Sequence, residues 1–86
     1  MQWHHVREHY PNQWVLVEAL QARSEAGQRK IEELAVISAF ADSVAALHAY
    51  ARLHHTAPAR ELYVVHTDRE ELDITERRWL GIRTGS

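Results

Sequence analysis

The 86-residue chain contains no cysteine. That excludes disulfides, thiolate metal sites and cysteine nucleophiles together, and it fits a reducing compartment. Glycine is scarce, and its three copies (Gly27, Gly81 and Gly85) are too scattered to build a phosphate-cradling loop. Only two prolines, Pro11 and Pro58, punctuate the chain. No apolar run approaches the roughly 20 residues needed to cross a bilayer. The opening Met1-Gln2-Trp3-His4-His5 lacks the basic-then-apolar layout of a secretion signal. A cytoplasmic location without membrane association is therefore expected. Charge of one sign is missing too: ten Lys and Arg stand against twelve Asp and Glu, a net −2. That balance disfavours nucleic acid as a partner, because attachment to a phosphate backbone is mostly electrostatic.

What remains is 45% hydrophobic and 26% charged, too apolar and too nearly neutral for disorder. At this length it makes one domain, residues 1–86, with no room for a second core. No internal repeat, low-complexity tract or linker interrupts it.

Residues 2–9 predict a short helix that stops before Pro11, since the residue preceding proline is pushed out of the α region. Trp14 to Leu20, rich in β-branched and aromatic residues, reads as a first strand, and Lys30 to Phe40 as a second. The polar, glycine-containing stretch Ser24 to Gln28 joins them through a loop of several residues. Asp42-Ser43 offers an N-cap for an alanine-rich helix in which Val44, Leu47, Ala51 and His54 fall at helical spacing. That helix ends in His54-His55 and is closed by Pro58. Arg60 to Thr67 reads as a third strand. Thr67-Asp68-Arg69-Glu70 has the Ser/Thr-x-x-Glu layout of a capping box, which predicts a helical turn. Ile74 to Gly81 suggests another.

The expected fold is α+β: a three-stranded sheet in β-β-α-β order, backed by one long helix, with short helical turns at both termini. Sheet order 2-1-3 follows from placing the most apolar strand centrally and from a crossover that makes strands two and three parallel.

Alternation then exposes a mismatch. Val15, Val17 and Ala19 point to one side of the first strand, and Trp14, Leu16 and Leu20 to the other. Both sides are apolar, and one long helix covers only one. The small Val15/Val17/Ala19 set is assigned to the alanine-rich helix. The Trp14/Leu16/Leu20 side then needs another cover: Trp3, Val6 and Tyr10 from one terminus, Trp79, Leu80 and Ile82 from the other, a second copy of the chain, or a different protein.

Three chemistries compete with a purely structural reading. His5 and His9 share one face of the first helix, the geometry of a two-histidine metal arm. They lack the glutamate of a His-Glu-x-x-His motif and a third ligand at local spacing. Set against this are solvated histidines on a frayed terminus. His66 lies inside an apolar strand, where Glu18 becomes a cross-strand partner if register allows. Such a pair would serve a small hydrolase-like or ligand-binding protein, although no nucleophile elbow accompanies it. The bland alternative is a histidine at a strand end bonded to backbone or water. Arg77, Arg78 and Arg83 gather near Trp79, but acids at Glu70, Glu71, Asp73 and Glu76 dilute their field.

Four stretches (Trp14 to Ala19, Glu61 to Thr67, Arg69 to Ile74 and Arg78 to Arg83) resemble a group of small stand-alone bacterial proteins of unknown function with a β-β-α-β layout. Tyr10-Pro11-Asn12-Gln13-Trp14-Val15 is similar to the start of such domains. The resemblance implies the fold and a bacterial origin. It assigns no site residues.

The sequence thus predicts a non-catalytic protein–protein interaction or regulatory module with no cofactor and no metal. Its contact surface is expected at Trp14, Leu16, Leu20, Arg78 and Trp79, and its partner is another protein or a second copy of itself.

Overall fold

A computed structural model describes residues 1–75. Its elements run α1 (Trp3–His9), β1 (Trp14–Glu25), β2 (Gln28–Phe40), α2 (Ser43–Thr56), β3 (Leu62–His66) and β4 (Asp73–Thr75). The expected 2-1-3 arrangement is present, widened by one strand to the order β3-β1-β2-β4. Both neighbours of β1 run antiparallel to it, so β2 and β3 are parallel to each other.

The strands outrun their apolar segments, because the β1–β2 hairpin continues to a tight turn in which Glu25 pairs with Gln28. Ala26 and Gly27, at φ 51° and 78°, form its two-residue loop in place of the longer one expected. Positive φ at both central positions marks the primed turn whose twist matches the strands. Alanine there is not an Asn-Gly signal, so the sequence understates how tight the turn is.

Two departures concern residues 67–75. Thr67 does not cap a helix: its hydroxyl donates to the Tyr10 carbonyl at 2.7 Å and accepts from the Gln13 amide at 3.0 Å. This buried threonine ties the end of β3 to the loop around Pro11. Further on, Asp73–Thr75 is a strand on β2 rather than the start of a turn. The remainder of the expected Ile74–Gly81 turn lies outside the described residues.

The assignment of faces is reversed. Val15 and Val17 pack with Leu34 and Val65 beneath Val6 of α1 and Leu72, with Trp3, Tyr10, Val36 and Tyr63 around them. Helix α2 lies instead on the Leu16 side. The side on which a crossover helix lands follows from the hand of the connection, which alternation along the strands does not encode. Size also fits this outcome. Leu16 is flanked by Ser38 and Val64, a shallow surface onto which Ala46 and Ala49 can settle, whereas the valine face takes the bulkier lid.

Candidate functional site

Asp42 starts α2 by accepting the Ala45 amide at 2.9 Å, as an N-cap should. The stripe that faces the sheet is not the expected Val44/Leu47/Ala51/His54 series. Ala46 is fully buried, and Ala49, Tyr50 and Leu53 are half-buried on the same side. Val44 and Leu47 are turned outward, 60% and 52% exposed. Alanines on the inner face bring the helix close to the sheet but fill little space, so a hollow remains on each flank. One, about 350 Å³, lies among Leu16, Ile37, Ala49 and Leu53. The other, about 230 Å³, lies between Leu47 and Tyr50 of α2 and Leu62, Tyr63 and Val64 of β3.

Bulges add to this surface. Register shifts between Leu16 and Val17, and between Ala19 and Gln21, leave Ile37 and Leu20 without paired residues across the hairpin. Such extra residues escape the alternation of the ladder, and here both are large and exposed, Leu20 by 58% and Ile37 by 37%. Leu20 therefore is at the surface as expected. Leu16 is not: at 2% exposure under α2 it belongs to the interior and cannot meet a partner. Trp14 is half-buried with its ring edge-on to His66, centroids 5.0 Å apart. Arg78 and Trp79 lie outside the described residues.

The Glu18–His66 pair is not assembled. Register places Glu18 opposite Leu62 and His66 opposite Trp14, about 13 Å apart along the strands. Each has its own partner. The Glu18 carboxylate receives a forked contact from Arg60 at 2.6 and 3.1 Å, which holds it below the usual carboxylate range. His66 accepts the Asp68 amide at Nδ1, 3.1 Å away. That bond places the proton of the neutral ring on Nε2. On the opposite side of the sheet, Arg29 forks onto Glu61 at 2.8 and 2.9 Å, and Tyr63 donates to the same carboxylate at 2.6 Å. Arg29 thereby draws the Glu61 carboxyl below its ordinary range against the opposing effect of burial. Burial first, then the bond to Glu61, pushes the Tyr63 phenol up to about 12. These pairs brace the sheet and expose no nucleophile.

His5 and His9 do not converge on an ion either, because His9 Nδ1 is bonded to the His5 carbonyl at 2.9 Å. No set of three metal-ligating side chains occurs among the described residues. An open trough of about 570 Å³ runs between Trp3, His4 and the carboxylates Glu32, Glu70 and Glu71. Its acids do not gather into a coordination shell.

Among the described residues, strand β3 ends the sheet. Two bonds flank its ladder with β1: Ala19 N–H to the Glu61 carbonyl and Thr67 N–H to the Gln13 carbonyl, both 2.9 Å. Antiparallel alternation then turns the backbone groups of Tyr63 and Val65 toward β1, and those of Leu62, Val64 and His66 toward the open side. The opposite margin is protected: β4 pairs with Gln28 to Lys30, and Met1 exchanges backbone bonds with Leu34. Sequence reading missed this edge and the outward pair Val44 and Leu47. The signal for the pair was present as a helical stripe, but a stripe does not say which way it faces.

Comparison of the chain with protein-family models, curated proteins and solved structures finds no match in any of the three.

Proposed function

We propose that the protein acts by non-catalytic contact with another protein chain, in the cytoplasm, through the α2 side of the sheet. The observation carrying this reading is the unequal sealing of two apolar faces. The Val15/Val17 face is closed by α1 and Leu72, while the helix on the Leu16 face leaves Val44, Leu47, Ile37 and Leu20 substantially in water. Each large apolar side chain buried on association is worth roughly 1.5–3 kcal/mol, and apolar residues gathered around grooves mark contact sites more often than isolated ones do. Catalysis receives no comparable support, because Glu18 and His66 are apart and each is engaged elsewhere.

The test is the double variant Val44→Ser/Leu47→Ser, compared with wild type for thermal stability and for co-purification of bound protein. The reading expects an unchanged or slightly raised melting temperature together with loss of the bound chain. A variant that melts many degrees lower shows that these side chains hold the fold, and undiminished co-purification shows that contact lies elsewhere. Either result overturns the reading.

A further inference from the structure

We propose that the open edge of β3 pairs with β3 of a second copy of this chain, about a two-fold axis passing beside Val64. The proposal rests on the protein-contact reading and narrows it to one occupant.

The edge is complementary to itself. Leu62, Val64 and His66 direct their backbone groups outward, so an antiparallel copy centred on Val64 sets Val64 opposite Val64 and Leu62 opposite His66. Those pairs make about six inter-chain hydrogen bonds. The His66 carbonyl already accepts from Arg69, and its second lone pair remains for the partner copy. Just beyond the strand ends, Arg60 in the bend before β3 and Asp68 in the turn after it bring opposite charges to both ends of the seam. The Asp68 side chain is 71% exposed, 3.7 Å from His66 Nδ1, and Arg60 uses Nε and Nη2 on Glu18, so Nη1 is the donor that faces Asp68 across the seam.

Among the described residues, this edge lacks several of the usual protections. Leu62–His66 contains no proline and no lysine, and its ladder with β1 has no bulge, whereas natural edge strands are commonly blunted by these devices. A two-fold axis perpendicular to the sheet keeps both α2 helices on one face. Leu47 and Tyr50, which border the hollow beside β3, then flank the seam from both copies.

Full-length protein is examined by sedimentation equilibrium over a concentration series, and by mild oxidation of Val64→Cys. The wild-type chain contains no cysteine, so any disulfide reports this contact alone. Facing Cα atoms in a hydrogen-bonded antiparallel pair lie about 5.5 Å apart, within disulfide range. The expected results are a mass of twice 10.0 kDa and a covalent dimer for Val64→Cys, with none for Arg52→Cys on the helix. Val64→Pro removes an outward amide without touching the β1 ladder. It is expected to weaken association about tenfold or more at unchanged circular dichroism. If that variant unfolds, Asp68→Arg, which sets like charges opposite each other, is expected to weaken association at low salt.

A monomer at every concentration, or a dimer that forms no bond through Val64→Cys, overturns the edge pairing. If a different protein is still lost with Val44→Ser/Leu47→Ser in that case, the contact role survives without self-pairing.

Discussion

At the scale of the residue, polar side chains here mostly lock backbone to backbone. Thr67 is buried, yet its hydroxyl and backbone join three segments: the Tyr10 carbonyl, the Gln13 backbone and, through its own carbonyl, Arg7 of α1 at 2.9 Å. Its identity as a threonine was legible in the sequence. Its role was not, because the Thr-x-x-Glu spacing that suggests a cap says nothing of a loop arriving from 54 residues away. Tyr63 and Glu61 form a second lock, and this one titrates. The Tyr63 pKa is raised in the folded chain, so its neutral form is the stabilising one. The contribution is fully present below the ordinary phenol value near 10 and is lost as pH rises toward about 12. Tyr63→Phe is expected to cost about 1 kcal/mol at neutral pH and to flatten the fall in melting temperature across that alkaline window. Thermal melts of both proteins against pH measure it, and parallel curves would show that Tyr63 is not the titrating group.

At the scale of the element, hairpin and helix show how far periodicity reaches. The alternation of β1 was readable from Trp14 to Leu20 and then lost, because bulges release Leu20 and Ile37 from strict two-residue order. The turn between the strands is held in a left-handed conformation by Ala26 at φ 51°, where a side chain is disfavoured by about 1–2 kcal/mol. Ala26→Gly is therefore expected to stabilise the protein by up to about 1 kcal/mol, the gain in backbone strain being reduced by the greater entropy of the unfolded chain. Chemical denaturation checks this, and a loss of stability would mean that the Ala26 methyl makes contacts worth more than the strain. In α2, composition and cap were visible in advance, while the inward face was not. Alanines and larger residues occur on both sides, so hydrophobicity alone does not orient the helix.

At the scale of the whole molecule, the two faces of the sheet differ in how completely they are closed. Val6 is fully buried on the sealed side, and Val44 is 60% exposed on the other. Val6→Ala is expected to lower stability by about 1–3 kcal/mol, and Val44→Ala to change it by no more than about 0.5 kcal/mol. Equal losses in a denaturation experiment would mean that the outer stripe of α2 is part of the folding core. The margins are unequal as well, since β4 and Met1 cover the β2 side while β3 stays open among the described residues.

The amino-acid sequence by itself determined the α+β class, the 2-1-3 strand order, the capped helix before β3 and the surplus of apolar sheet, because each follows from local pattern or from short connections. Tertiary structure alone decided which face each helix covers, that Leu16 is interior while Leu47 is not, and that Glu18 and His66 never meet. Those outcomes depend on the side taken by the crossover, on three-dimensional register and on bulges, and all three arise between segments rather than within them.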